Sequence, residues 1–180
     1  LEKLIDLKND LGIVPTQIDA NICEYVPHSS VYRKRFGSFV NAIKMANMTP
    51  RSNKSPLITP KGNKALSGYE YKFMLMLEEN GIEYDKEELY SKYIKYFERK
   101  YRFDFTIMYN ETMYFIEIFG MNFNDKYDKR AHEKIQLCKK NNLKLIDLYS
   151  EDFKGNLDDL YNLMISKIKQ MEEGLHEQKD

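Results

Sequence analysis

The sequence contains few of the residues that stabilise small folds through disulfide bonds or bound zinc. It has two cysteines and three histidines in 180 residues. Cys23 and Cys138 lie far apart and form no Cys-x-x-Cys, which predicts buried free thiols in a reducing compartment such as the cytoplasm. His28, His132 and His176 show no zinc-ligand spacing with them. No signal peptide and no apolar run of membrane-spanning length is present, so we expect no membrane partner.

Acidic residues are absent between Glu24 and Glu70. The same window contains eight basic residues: Arg33, Lys34, Arg35, Lys44, Arg51, Lys54, Lys61 and Lys64. The net charge of zero for the whole chain therefore conceals a segment of +8 that is balanced by −8 elsewhere. A segregated basic segment is typical of proteins that bind a polyanion. The alternative is a solvated linker with chance lysines.

Two β-rich runs flank a polar break at Asn110-Glu111, and each run contains one acid, Asp104 or Glu117. A two-residue turn pairs residues whose numbers sum to 221, which places the two acids directly opposite each other. Opposed like charges destabilise a sheet unless a cation lies between them or they share a proton. The pattern predicts a metal site. An ordinary hairpin with two solvent-facing acids is the alternative, and a three-residue loop would shift the register.

Four short helices are predicted in the first 48 residues. Apolar spacing indicates a helix over 1–11 that ends at Gly12, a second from Pro15-Thr16 to about Asn21, a third over 31–36 and a fourth over 39–48. Ser29 or Ser30 is the expected N-cap of the third helix. Short helices with tight turns, one of them basic, favour a helix-turn-helix class of module.

The same region resembles the homing-endonuclease-associated repeat. The matching residues are Gly12-x-x-Pro15-Thr16 and Ser29-x-x-Tyr32-x-x-x-Phe36-Gly37-Ser38-Phe39-x-x-Ala42-Ile43-x-x-Ala46-Asn47, in which Asn47 replaces the usual glycine. The resemblance implies a small DNA-binding helical bundle attached to a nuclease. Six residues are the predicted DNA contacts: Tyr32, Arg33, Lys34 and Arg35, with Ser29 and Ser30 as caps first and phosphate ligands second. A solvated helix face is the alternative for the basic cluster.

Residues 49–67 are rich in Pro, Ser, Asn and Lys and are predicted to be an extended linker. Its four basic residues, Arg51, Lys54, Lys61 and Lys64, could follow a DNA backbone. The predicted organisation is therefore a DNA-binding repeat at 1–48, a basic linker at 49–67 and a larger domain at 68–180.

The larger domain is predicted to alternate helices and strands. The expected elements are a helix over 68–80 with Gly81 as its stop and Glu70 on its apolar stripe, a strand within 83–91, the hairpin, a helix over 126–141, a strand over 143–148 and a helix over 157–171 capped by Asn156. This order predicts an α/β fold, with a small mixed sheet flanked by helices. In the helix over 126–141, Tyr127, Arg130, Lys134 and Cys138 form one stripe. Its two cations need partners, and the hairpin acids are the nearest candidates in sequence.

These elements resemble the PD-(D/E)XK nuclease core, a restriction-endonuclease-like fold, and its Vsr-like and phage-encoded members in particular. The resemblance rests on Phe103-Asp104-Phe105, on Ile116-Glu117-Ile118-Phe119-Gly120-Met121 and on the stripe of Arg130 and Lys134. It implies that Asp104, Glu117 and the carbonyl of Ile118 bind Mg²⁺, or Mn²⁺ in its place, and that Glu70 is the acid of the first helix. The Glu-x-Lys lysine of the family falls on Phe119. We expect Lys134 to take its role, with Arg130 as second choice.

The sequence thus predicts a homing-type, site-specific endonuclease that hydrolyses double-stranded DNA, in the cytoplasm of a bacterial or phage-infected cell. A double-strand break would need a homodimer or two successive nicks. Two alternatives stay open: a non-catalytic DNA-binding protein with a degenerate core, and a mismatch- or junction-directed repair nuclease. His132 without a second nearby histidine disfavours HNH chemistry. The chain begins at Leu1 rather than Met, which leaves open that further sequence precedes it.

Overall fold

The computed structural model describes residues 1–51, 57–119 and 125–176, without the side chains of 125–128 and 174–176. Its first part is a group of four short helices: α1 (Glu2–Leu11), α2 (Gln17–Ile22), α3 (Ser29–Phe36) and α4 (Phe39–Met45). Gly12 ends α1 with φ 71°, as predicted. The N-cap prediction for α3 is wrong, because the cap is His28, whose Nδ1 accepts the Ser30 N–H at 3.3 Å. Imidazole nitrogen takes the role expected of a serine hydroxyl.

A two-stranded ribbon follows, formed by β1 (Leu57–Ile58) and β2 (Lys64–Ala65). It lies within the predicted linker and keeps the extended backbone expected there. The Glu78 carboxylate fixes it, since Oε1 accepts hydrogen bonds from the Thr59 hydroxyl at 2.7 Å and from the Asn63 amide at 2.9 Å. The ribbon is therefore held against the following helix.

The rest of the chain is a four-stranded mixed sheet packed with helices. Its elements are α5 (Gly68–Glu79), β3 (Tyr84–Lys86), β4 (Phe105–Tyr109), β5 (Thr112–Phe119), α6 (Asp125–Lys140), β6 (Leu145–Tyr149) and α7 (Leu157–His176). The strand order is β3-β4-β5-β6, antiparallel except for the parallel pair β5 and β6. This confirms the predicted α/β class. None of the described helices is long and apolar enough to cross a bilayer.

The hairpin between β4 and β5 has the predicted register, with Phe105 opposite Ile116 and Met108 opposite Met113. Its turn residues Asn110 and Glu111 have φ of 47° and 61°, as a type I′ turn requires. The ladder of paired residues stops at Phe105, however. The prediction that Asp104 lies directly opposite Glu117 in the ladder is therefore wrong. Asp104 instead bends out of the strand.

The sheet is covered on both faces. On one face, side chains such as Ile116 and Ile146 join the main buried cluster with α5 and α7. On the other face, Phe115 of β5 and Cys138 of α6 belong to a smaller buried cluster with Tyr90 and Phe103. Because side chains alternate along β5, Glu117 lies on the same face as Phe115 and projects toward α6.

The N-terminal helices pack directly on the sheet domain, and both contribute to the main buried cluster. Asp19 is fully buried, and its Oδ1 accepts the backbone N–H of Gly68, the first residue of α5, at 2.6 Å. The buried Lys72 ammonium donates to the carbonyls of Asp10, Phe153 and Gly155, the last two at 2.7 Å. These bonds join the repeat region to α5 and to the loop before α7.

Candidate active site

The site is organised around Glu117, an acid within the apolar strand β5 that is 2% exposed. Two side chains hold its carboxylate. The Lys134 ammonium of α6 lies 2.6 Å from both Oε1 and Oε2, and the Tyr90 hydroxyl donates to Oε1 at 2.8 Å. The prediction that the stripe on α6 faces the hairpin acids is confirmed for Lys134. A buried carboxylate is tolerated here because it has both a cation and a hydrogen-bond donor.

Asp104 lies beside Glu117 at the end of β4. Its Oδ2 accepts the backbone N–H of Ile118 at 2.7 Å, and its own N–H donates to the carbonyl of Ile116 at 3.1 Å. A cavity of about 140 Å³ opens at this point. Its lining residues are Asp104, Glu117, Ile118, Phe119, Arg130, Ala131 and Lys134. The structure thus brings both hairpin acids and both predicted cations to one cavity.

The two acids resist ionisation in this setting. The pKa of Glu117 is raised to about 7, chiefly by burial and next by the nearby Asp104, against the lowering effects of Lys134 and Tyr90. Burial likewise raises the pKa of Asp104 to about 6, against the lowering effects of the Ile118 N–H and of Lys134. Raised carboxyl pKa values in a cavity are a common property of functional sites. Added positive charge would favour ionisation of both acids.

The donor set suits a hard divalent cation. Two carboxylates are available, and the alternation of backbone groups along β5 directs the Ile118 carbonyl to the same side as its N–H, toward Asp104. Mg²⁺ is usually bound through one or two carboxylates, with water and substrate oxygens completing the shell. Within residues 1–51, 57–119 and 125–176 no group of three His, Cys, Asp or Glu side chains could hold a metal. A cation here would compete with Lys134 for Glu117.

Glu70, Arg130 and Phe119, which the sequence also related to the site, do not contact the Glu117 carboxylate in the described hydrogen bonds and ion pairs. Glu70 pairs with Lys86 of β3 at 2.8 Å and accepts the Leu66 N–H at 3.2 Å, so it is engaged outside the cavity. Arg130 is exposed, with its guanidinium 4.9 Å from the centre of the Tyr101 ring. Phe119 is buried, and its ring packs against Tyr149.

Sequence reasoning missed Tyr90 and Lys86. Tyr90 is fully buried and stacks on Phe103 at 3.8 Å, which aims its hydroxyl at Glu117. It falls in a stretch predicted as strand, where no pattern distinguishes it from neighbouring tyrosines. Lys86 joins the Glu70 carboxylate to the Lys64 carbonyl at 2.8 Å each. Both contacts span more than fifteen residues, so no local spacing signals them.

The residues of the repeat predicted to contact DNA differ in their exposure and their hydrogen-bond partners. Arg33, Lys34 and Arg35 are exposed in the last turn of α3. Tyr32 is only 4% exposed and packs edge-on against Phe39, which favours a core role. Of the two serines, Ser29 donates its N–H to Asn21 and the Ser30 hydroxyl lies 2.9 Å from His28 Nδ1. The prediction of DNA contact therefore rests mainly on the three cations.

The linker cations also differ. Lys61 and Lys64 are exposed on the ribbon. Arg51 donates to the Val14 carbonyl and pairs with Asp19 at 3.1 Å, which gives it a structural role in the described chain. Lys54 lies outside the described residues. The exposed part of the basic segment is thus α3 and the ribbon, together with Lys44 of α4.

Comparison with known proteins places residues 1–49 in the homing endonuclease associated repeat family. The match confirms the resemblance seen in the Gly12-x-x-Pro15-Thr16 and Ser29–Asn47 motifs, and it associates the chain with homing endonucleases. No curated protein and no solved structure gives a match. The chemistry of the region that contains the four-stranded sheet is therefore argued from its own residues.

Proposed function

We propose that this protein is a homing-type DNA endonuclease that hydrolyses phosphodiester bonds with Mg²⁺, or Mn²⁺ in its place. The observation that carries the proposal is the convergence of Asp104, Glu117 and Lys134 on one cavity, in a chain whose first 49 residues match a repeat associated with homing endonucleases. The same association supports site specificity and double-stranded DNA as the partner. The order α5-β3-β4-β5-α6-β6 suits the PD-(D/E)XK core that the sequence resembles.

Asp104, Glu117 and the Ile118 carbonyl would hold the ion. When bound, the ion would lower the pKa of a water ligand and offset negative charge on the phosphate. The Ile118 N–H fixes the orientation of the Asp104 carboxylate, and Tyr90 fixes that of Glu117. Lys134 supplies the ammonium that the family has two residues after its glutamate, where this chain has Phe119. It reaches the same carboxylate from α6 instead.

The exposed cations upstream would provide affinity. Arg33, Lys34 and Arg35 on α3 and Lys61 and Lys64 on the ribbon are available for phosphate contacts. Because the repeat is bonded to α5 through Asp19 and through the contact of Lys72 with the Asp10 carbonyl, it would hold DNA in a fixed relation to the cavity. Binding through phosphates should weaken steeply with salt. A homodimer, or two successive nicks, would be needed to cut both strands.

Nicking of supercoiled plasmid in Mg²⁺ tests the proposal. Wild type should convert supercoiled to open-circular DNA, while Asp104→Asn and Glu117→Gln should retain DNA binding and lose nicking by at least about 100-fold. Lys129→Ala, a change at an exposed lysine of α6 outside the cavity, is the matched control for the preparation. Equal DNA binding by all forms, with no nicking by wild type, would contradict the enzyme assignment.

A non-catalytic DNA-binding protein is the second candidate. It is favoured by one observation, that Lys134 already neutralises Glu117 with both oxygens at 2.6 Å, while Phe119 is buried. Such a pair would make a stable core without metal. This candidate predicts tight DNA binding that Mg²⁺ leaves unchanged, with plasmid intact in every metal tested.

A further inference from the structure

The 92–102 loop, which leads into Phe103 and Asp104, has an unusual composition. It contains five basic residues and one acid, Glu98, which give it a net charge of +4. Four aromatic residues lie among them: Tyr93, Tyr96, Phe97 and Tyr101. Lys95 and Lys100 are exposed and form no ion pair within the described part of the chain. Basic residues interleaved with aromatic ones are typical of surfaces that bind nucleic acid strands.

The ends of this loop are fixed. Leu89 and Arg102 form an isolated antiparallel bridge, and the Tyr90 N–H donates to the Tyr101 carbonyl at 3.0 Å. Inside the loop, the Phe97 ring packs between Tyr90 at 6.0 Å and Tyr101 at 5.6 Å. The loop is thus a supported projection rather than a loose connection.

Tyr96 lies at the tip of this projection and is 100% exposed. It has φ 59°, a left-handed conformation that is unfavourable for a bulky residue. Its ring gains nothing from burial in the chain itself, whereas Phe97 beside it packs inward. A tyrosine presented in this way offers a free aromatic face to a ligand.

The base of the loop lies beside the candidate active site, in contact with Lys134. The Lys134 ammonium donates to the Arg102 carbonyl at 3.4 Å and lies 5.9 Å from the centre of the Tyr101 ring. The same ammonium binds Glu117. A DNA strand whose phosphate enters the cavity would therefore pass beside the loop.

We propose that the 92–102 loop is a second DNA-contacting element, in which Tyr96 stacks on a base flanking the scissile phosphate while Lys95 and Lys100 contact neighbouring phosphates. This rests on the proposed function for its DNA substrate, but not on cleavage. Stacking requires a base that is partly unstacked from the duplex, and bent DNA offsets that cost because it covers more of the protein surface. The element is separate from the repeat and the ribbon.

Binding to a fluorescein-labelled, mixed-sequence duplex tests the stacking contact. Tyr96→Ala should weaken binding by roughly 5- to 150-fold, the range of one base–aromatic stack, and Tyr96→Phe should stay within about twofold of wild type. Lys95→Ala combined with Lys100→Ala should reduce the slope of log K against log salt by about 1.8. Met108→Ala, which truncates an exposed apolar side chain near the hairpin turn, is the control and should bind as wild type does.

A fluorescent reporter separates stacking from loss of folding. The chain has no tryptophan, so Tyr96→Trp introduces a single tryptophan whose emission can be excited selectively over that of the tyrosines. DNA should quench that emission, whereas the emission of Met108→Trp should be unaffected. If wild type binds DNA while Tyr96→Ala binds equally well and Tyr96→Trp is not quenched, the loop proposal is overturned and the proposed function stands. If wild type binds no DNA at any salt concentration, both are overturned.

Discussion

Lys134 holds both carboxylate oxygens of Glu117 at 2.6 Å, across the gap between α6 and β5. This contact joins the helix stripe and the hairpin acid, two features that are visible separately in the sequence. The Lys134 side chain is 14% exposed and that of Glu117 is 2% exposed, so the pair is largely shielded from water. Loss of this ion pair should therefore affect both the stability of the fold and the proposed nicking activity.

Lys134→Ala should destabilise the fold, because it leaves Glu117 buried with only the Tyr90 hydroxyl as a described partner. Removal of one member of a buried ion pair costs about 3 to 5 kcal/mol. The loss in free energy of unfolding should be larger at pH 8 than at pH 5, where Glu117 is protonated. Urea denaturation at the two pH values measures it, and Lys129→Ala on the exposed surface should change stability by less than about 0.5 kcal/mol. If Lys134→Ala nicks DNA at the rate of wild type, the lysine has no part in the proposed mechanism.

Stability in a chelating buffer should fall as pH rises from about 4.5 to 7. The pKa of Glu117 is raised to about 7 and that of Asp104 to about 6, so the folded chain binds more protons than the unfolded chain in this window. The associated stabilisation is present at pH 4 and is lost as pH passes the folded pKa. It is on the order of 3 kcal/mol for Glu117. Glu117→Gln should flatten the profile, and Glu83→Gln, at an exposed acid, should leave it unchanged.

Divalent metal should raise the thermal midpoint more at pH 8 than at pH 5. Protons compete with the ion for Asp104 and Glu117 until pH exceeds their raised pKa values. Stabilisation by a ligand at 100 times its Kd is about 2.7 kcal/mol. Differential scanning fluorimetry with Mg²⁺ and Mn²⁺ measures the shift, and Asp104→Asn should abolish it. An equal shift in that variant would place the ion elsewhere.

The repeat and the sheet domain should unfold together. Asp19 is fully buried and accepts hydrogen bonds from Thr16, Arg51 and Gly68, so Asp19→Ala removes the shared acceptor of three segments. We expect a loss of about 3 to 5 kcal/mol in one cooperative urea transition. Asp6→Ala, at an exposed acid of α1, should cost less than about 1 kcal/mol. Two separate transitions in wild type would show that the repeat folds independently.

Glu111→Gly should stabilise the hairpin. Glu111 has φ 61° in the turn between β4 and β5, where glycine is free of Cβ strain. Relief of left-handed strain contributes about 1 to 2 kcal/mol, and the greater unfolded-state entropy of glycine offsets about 0.4 to 1 kcal/mol of it. The net gain in free energy of unfolding should therefore be on the order of 1 kcal/mol, measured by thermal or urea denaturation. Glu83→Gly, at an exposed position without positive φ, should instead destabilise the chain. A loss from both changes would argue against strain at the turn.

Much of the local structure could be predicted because it depends on neighbouring residues. Gly12 ends α1, Asn156 caps α7 through the Asp159 N–H at 2.9 Å, and the two-residue turn sets the hairpin register. The N-cap prediction for α3 was wrong because a ring nitrogen of His28 accepts the hydrogen bond expected of a serine hydroxyl. The ladder ended before Asp104 because its carboxylate takes the Ile118 N–H that a backbone carbonyl would otherwise accept.

Periodicity, turn chemistry and spacing over a few residues were enough to predict the helical repeat, the α/β order, the segregated basic segment and the two acids of the hairpin. The folded chain was needed to show which cation reaches Glu117, that Tyr90 supports it, that Glu70 is engaged by Lys86, and that Asp19 bonds to α5. Those contacts join residues 16 to 49 positions apart. They depend on how helices pack against the sheet, and side-chain packing at that distance leaves no periodic signal in the chain.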